Sequence, residues 1–200
     1  MKIRFSSGTP CPLGATVLAD GINFAVFSRN ATAVYLELFH DATDASPWSS
    51  VQLDPERNRT GDVWHIFAHR LRHGQLYGFR VDGPYAPLDG HRFNVNKLLS
   101  DPYARAVSGR YDLTHDAPYG YQRRAALADL SFSTLDSAAH TVKSVAIASS
   151  PIDWEDDRKP RRALRDTVIY ECHLKGFTAH PSSAVSSPGT YLGIIDKIRS

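Results

Sequence analysis

Between residues 15 and 100 the chain passes through five short β-patterned segments, each closed by turn-forming residues. Residues 22–27 are mostly β-favouring and lie between Asp20-Gly21 and Ser28-Arg29-Asn30. Residues 34–39 alternate, which places Val34, Leu36 and Leu38 on one face. Residues 51–53, 63–68 and 76–81 follow. They are separated by the charged stretch 54–61 and by a loop holding His73-Gly74. Short strands at spacings of about 8–12 residues or slightly more predict a β-sandwich.

Beyond residue 82 the pattern weakens. Asp82-Gly83-Pro84-Tyr85-Ala86-Pro87 is turn-rich and cannot continue a central strand. Asn96-Lys97-Leu98-Leu99 reads as a short helical turn that Asp101-Pro102 ends. Residues 103–140 show little periodicity, and 143–148 have the composition of a strand. Acidic Asp153, Glu155, Asp156 and Asp157 precede a basic run from Arg158 to Arg165 that contains Pro160, which is linker composition. Residues 167–174 then read as a strand, and Leu192, Ile195 and Ile198 stand at helical spacing. Strand, loop and helix start make the opening βα unit of a parallel α/β domain. The expected organisation is a sandwich over 1–105, a linker over 106–166, and this βα unit over 167–200.

Composition narrows the function. Hydrophobic residues make up 42% and charged residues 22%, so the chain can build a core and is not of the disordered class. A formal net charge of +2 supplies no field for nucleic acid. Apolar stretches are interrupted too often to span a bilayer, and residues 1–8 lack the apolar core of a secretory signal. Cys11 and Cys172 lie far apart and read as unrelated reduced thiols, which fits a cytoplasmic chain. His65, His69 and His73 are four apart, but along a strand four residues span roughly 13 Å, too far to share a metal. With no HExxH and no CxxC, no metal site is expected.

Several motifs stand in order along the chain. Gly8 to Gly14 reads GTPCPLG, and residues 21–28 read GINFAVFS. Residues 74–85 read GQLYGFRVDGPY, 90–94 GHRFN, 96–99 NKLL, and 101–104 DPYA. This series resembles the N-terminal domain of isoamylase-type glycogen debranching enzymes, in the α-amylase superfamily. Asp153-Trp154, Asp156-Asp157-Arg158 and Pro160 resemble the linker before their barrel. Residues 167–171, His173, Gly176-Phe177-Thr178 and Gly189-Thr190-Tyr191 resemble barrel strand one and its loop. Ala148-Ser149 and Cys172 depart from the family pattern.

The resemblance implies an immunoglobulin-like, carbohydrate-binding-module-like sandwich, a linker, and the first unit of a truncated (β/α)8 TIM barrel. It implies hydrolysis of α-1,6 branch linkages in glycogen or a related α-glucan, with retention and without a cofactor. Retention needs two carboxyl groups roughly 5 Å apart, which the resemblance places beyond Ser200. No catalytic residue is therefore nominated, and the chain alone is expected to be inactive. The acidic cluster 153–157, flanked by arginines, reads as a solvated loop. Trp48, in an Asp/Ser/Pro loop, and Tyr85, after Asp82-Gly83-Pro84, are the candidates for stacking on sugar C–H faces. Alternation sets Ile169, Glu171 and His173 on one strand face, so Glu171 and His173 are candidate substrate-side residues. The rival expectation is a stand-alone glucan-binding or regulatory module.

Overall fold

The structure, a computed structural model, describes residues 3–149 and 153–198. The chain divides into two compact units, Met1–Pro151 and Ile152–Ser200. The first unit is a sandwich of antiparallel sheets. One sheet contains β1 (Phe5–Ser7), β2 (Gly14–Leu18), β3 (Gly21–Phe27), β6 (Arg59–Thr60) and β7 (Val63–His69). Its order is β1-β7-β3-β2, with β6 beside β7. The other contains β4 (Ala33–Phe39), β5 (Ser49–Gln52), β8 (Leu76–Asp82), β11 (Ala106–Ser108) and β12 (Lys143–Val145), in the order β11-β12-β8-β4-β5. A small ribbon pairs β9 (Tyr85–Ala86) with β10 (His91–Arg92).

The period-2 pattern decides the core. Val34, Leu36 and Leu38 of β4 and Tyr77, Phe79 and Val81 of β8 face Ile22, Phe24 and Val26 of β3 and Trp64, Ile66 and Ala68 of β7. Complete burial of a large apolar side chain contributes about 1.5–3 kcal/mol, so this cluster dominates stability. Asn23 performs a different task. Its amide exchanges two hydrogen bonds with the Thr9 backbone, at 2.8 and 3.0 Å, and pins the GTPCPLG segment across the sheet. A Cβ at Gly8 would lie 2.4 Å from Asn23 Oδ1 and 2.8 Å from the Ile66 backbone, so only glycine fits there.

The sheet does not stop where the sequence pattern stops. Residues 106–149, read from the sequence as linker with a strand at 143–148, supply β11 and β12 and cover the outer face of the β4–β8 pair. Phe39, Leu98 and Ala138 form a second small core there. Polar contacts carry most of the docking. Lys97 Nζ donates to Ala117 O, Ser133 Oγ and Leu135 O at 2.9, 3.0 and 2.7 Å. Asn94 Nδ2 donates to Ser133 O at 2.8 Å, and Leu98 N donates to Ser137 Oγ at 2.8 Å. Lys143, 0% exposed, donates to Ala138 O and lies 4.7 Å from the Phe39 ring centroid. Docking through hydrogen bonds leaves no apolar period, which is why the segment reads as irregular. The expected helical turn at 96–99 is instead a turn at Asn94 followed by a bridge from Leu99 to Phe79. A Cβ at Gly78 would meet Leu98 Cδ1 at 2.7 Å, so glycine lets that bridge close over β8.

In the second unit, residues 167–173 form no β ladder, contrary to the expected strand at 167–174. Val168 is 96% exposed, and Ile169 and Tyr170 are also exposed. A strand is held by bonds to a neighbouring strand, and none pairs with this segment among the described residues. Leu174 opens a short helix, α1 (Leu174–Ala179), instead of ending a strand. The expected helix start is present as α2 (Tyr191–Ile198), with Leu192, Ile195 and Ile198 exposed. Buried Thr178 ties α1 to the turn before α2, its Oγ1 accepting from Gly189 N at 2.9 Å.

Candidate functional site

Trp48 sits in the loop between β4 and β5, held by a 2.9 Å hydrogen bond from its backbone N to Leu38 O. The half-buried indole packs against the main core, and the His40 ring stacks on it with centroids 5.2 Å apart at 16°. Its Nε1 is buried and has no hydrogen-bond partner among the described residues. Trp48 lines a cleft of about 730 Å³ together with Phe67, His69 and Leu71 of the opposite sheet and its following loop, and with Arg4 and Asp20.

Hydrogen bonds frame this cleft. His69 Nε2 lies 2.9 Å from Ser6 Oγ, and Arg4 Nη2 lies 3.3 Å from both His69 ring nitrogens. The Phe67 and His69 rings meet edge to face at 4.8 Å. His69 N donates to Arg4 O at 3.0 Å, and Arg70 N donates to Asp20 O at 2.8 Å. Arg70 holds a left-handed backbone with φ of 64°, an uncommon state for a residue with a side chain. Phe67 and His69 were not singled out from the sequence. The available signal is the alternation of β7, which turns them away from Trp64, Ile66 and Ala68.

Tyr85 is differently placed. Its hydroxyl donates to Ser131 O, and its ring meets Phe132 edge to face at 4.8 Å. These contacts hold Tyr85 in the packing of the outer layer. The structure does not bring it to Trp48. Leu38 pairs with Tyr77 and Ala33 with Asp82, so the two aromatic residues flank opposite ends of the β4–β8 pair. Five residues of strand separate those ends, about 17 Å.

Glu171 and His173 are both exposed and share no strand face. His173 caps α1, its Nδ1 accepting from Gly176 N at 3.4 Å. The acidic residues 153–157 are exposed, as expected of a solvated loop. Cys11 and Cys172 are free and exposed. Among the described residues no group of three or more His, Cys, Asp or Glu could hold a metal, and no helix is long and apolar enough to cross a membrane.

Buried ionisable groups lie elsewhere, under the outer layer. Tyr77 OH donates to Asp101 Oδ2 at 2.7 Å, and Asp101 N donates to Ser144 Oγ at 2.9 Å. Burial, with the Asp101 charge beside it, pushes the Tyr77 hydroxyl far above its ordinary value. Burial likewise raises the Asp101 carboxyl and lowers the Lys97 and Lys143 ammonium groups. Each group has hydrogen-bond partners within the packing, so the set is a structural scaffold.

The chain is similar to known proteins over nearly all its length. Residues 12–104 match carbohydrate-binding module 48, the isoamylase N-terminal domain. Isoamylase 1, chloroplastic, of Oryza sativa subsp. japonica is 42% identical over 199 residues, 98% of this chain and 23% of that protein. A glycogen debranching enzyme of Yersinia enterocolitica is 40% identical over 190 residues, 94% of this chain and 26% of that protein. The chain thus spans about a quarter of the length of these relatives. In fold it resembles a Paenibacillus barengoltzii pullulanase solved with maltohexaose and α-cyclodextrin. That match has a TM-score of 0.61 and 22% identity, over 92% of this chain and 23% of that one. Residues 12–104 are a carbohydrate-binding module 48 domain, in a chain whose likeness to an isoamylase and a glycogen debranching enzyme runs over 94–98% of its length.

Proposed function

We propose that this chain forms the N-terminal part of a glycoside hydrolase that cleaves α-1,6 branch linkages of glycogen or limit dextrin with retention. One observation carries this: identity to the rice isoamylase extends over 98% of the chain, across both compact units. A free-standing binding module would give no reason for such likeness in the second unit. Retention requires a nucleophilic carboxylate and a carboxylic acid about 5 Å apart. We assign neither role to any residue of this chain, which is then inactive alone.

Residues 167–198 would enter the start of a (β/α)8 barrel. Exposed Val168, Ile169 and Tyr170, and the exposed Leu192 and Ile195 of α2, supply apolar surface of the kind that barrel neighbours cover. With those neighbours in place, 167–173 would take up strand pairing, and Glu171 and His173 would lie toward the substrate side. Free thiols at Cys11 and Cys172 suit a reducing compartment.

The test is hydrolysis of a glycogen limit dextrin, followed by release of reducing ends. Residues 1–200 alone are expected to release none, and a longer polypeptide continuing this chain is expected to release linear chains with retained anomeric configuration. Debranching by residues 1–200 would show that the catalytic groups lie within them. No debranching by the longer polypeptide would remove the enzymatic reading. The module 48 match favours a second role, capture of glucan by the sandwich. Affinity electrophoresis in glycogen tests it, and unchanged mobility would remove it.

A further inference from the structure

The outer layer holds a pair of histidines away from the Trp48 cleft and outside the buried scaffold. The His115 and His140 rings stack with centroids 3.8 Å apart and planes 4° from parallel. Their partners fix where each ring carries its proton. Ala117 N donates to His115 Nδ1 at 3.1 Å, and a backbone N–H can only donate. His115 Nδ1 is therefore an acceptor, and its proton sits on Nε2. His140 Nδ1 lies 3.4 Å from Asp112 Oδ2, a carboxylate that can only accept, so here Nδ1 carries the proton. Hydrogen bonds, that of the Thr114 hydroxyl foremost, hold the Asp112 carboxyl below its ordinary range and keep it an anion.

The two rings accept an added proton unequally. On His140 it goes to Nε2, and Asp112 balances the charge. On His115 it must go to Nδ1, where it faces the Ala117 N–H, donor against donor. A cation on each ring would also set like charges on rings 3.8 Å apart. The bond at risk belongs to the packing of the outer layer. Ala117 is buried, and its carbonyl accepts from Lys97 Nζ at 2.9 Å. His115 N donates to Asp112 O at 3.2 Å and Asp112 N to His140 O at 3.0 Å, so the two histidine segments are tied together. The other charged groups bonded to these segments are engaged elsewhere. Asp116 accepts from Arg123 Nε at 2.6 Å, and Lys143 donates to Ala138 O and Thr141 O on either side of His140. Among the described residues Asp112 is the one carboxylate within ion-pair distance of either ring.

We propose that this stack is an acid-sensitive latch: neutral His115 closes residues 115–117 onto Lys97, and a proton on His115 opens them and loosens residues 113–135. His115 is exposed, so protons reach it without prior unfolding. The closed form binds fewer protons than the open one. Its contribution is therefore full at neutral pH and is lost as pH falls through the range in which imidazoles gain their proton.

The experiment measures amide-exchange protection factors, which divide out the intrinsic pH dependence of exchange, on the full chain at about pH 7.5 and about pH 5. Protection across 113–135 should fall about three- to tenfold at the lower pH, the loss expected for one hydrogen bond. Protection in β3 and β7 should not change. His115→Asn is the deciding variant. An asparagine side-chain carbonyl accepts from the N–H two residues on and does not take up a proton, so protection should be equal at both pH values. A proton–nitrogen correlation spectrum of the imidazoles at the higher pH should show His115 with its proton on Nε2. Unchanged protection in the unsubstituted chain, a fall shared equally by β3 and β7, the same fall in His115→Asn, or a proton on Nδ1 of His115 at the higher pH would each overturn the latch.

Discussion

Arg80 Nε lies 2.8 Å from Glu37 Oε2, and both side chains are less than a tenth exposed. They project from β8 and β4 onto the face of the sheet that the irregular segment covers, and Arg80 Nη2 reaches on to Asp136 at 2.9 Å. The pair therefore joins two strands to the layer above them. Arg80→Met would leave Glu37 charged, buried and unpaired. Removing one partner of such a pair costs about 3–5 kcal/mol. Urea unfolding of the variant should show a loss of that order, and a loss under about 1 kcal/mol would contradict the coupling.

The Tyr77–Asp101 hydrogen bond gives a prediction at alkaline pH. The unfolded tyrosine ionises near pH 10, whereas the folded hydroxyl is held neutral well above that. Its stability contribution is thus present below pH 10 and is lost as pH rises beyond it, at about 1.4 kcal/mol per pH unit. Tyr77→Phe should be less stable at pH 7 by about 1.5–3 kcal/mol, because Asp101 loses a donor. Its deficit should shrink from pH 10 to pH 11. Denaturant midpoints at pH 7, 10 and 11 decide this, and parallel curves would refute it.

Lys97 holds the loop around residues 113–135 by three hydrogen bonds. Lys97→Met keeps the stem but leaves the three acceptors without their donor. A loss of about 2 kcal/mol is expected. Amide exchange should quicken across 113–135, with β3 and β7 unchanged. Uniform acceleration over the whole sandwich would show that the outer layer and the core unfold together.

Residues 168–173 have exposed side chains and no ladder partner among the described residues. Their amides should exchange near the unprotected rate, while those of β4 and β8 are slow. Strong protection in a monomeric sample would mean that a partner strand exists.

The motifs carried more than their periodicity revealed. The five strands predicted between residues 15 and 100 are present, because alternation is a local property and the sandwich satisfies it directly. The short strands β1, β2, β6 and β11 were not anticipated, since their few residues leave no period to count. The NKLL and GQLYGFR motifs were legible as a resemblance, but their physical task was not. Lys97 hydrogen-bonds carbonyls 20 and 38 residues away, and Gly78 makes room for Leu98. Trp48 was found from its loop, whereas Arg4, Phe67 and His69 join it only through the packing of the two sheets.

By itself the sequence determined the β-sandwich, the turns that close its strands, and the resemblance to isoamylase-type enzymes. Only the tertiary structure decided that residues 106–149 extend the second sheet, that Trp48 and Tyr85 flank opposite ends of it, and that 167–173 stay unpaired. The reason is one of range. Alternation and turn chemistry act between neighbours in the chain. Strand pairing and the burial of a lysine or an arginine depend on groups far apart in sequence, which only the folded chain brings together.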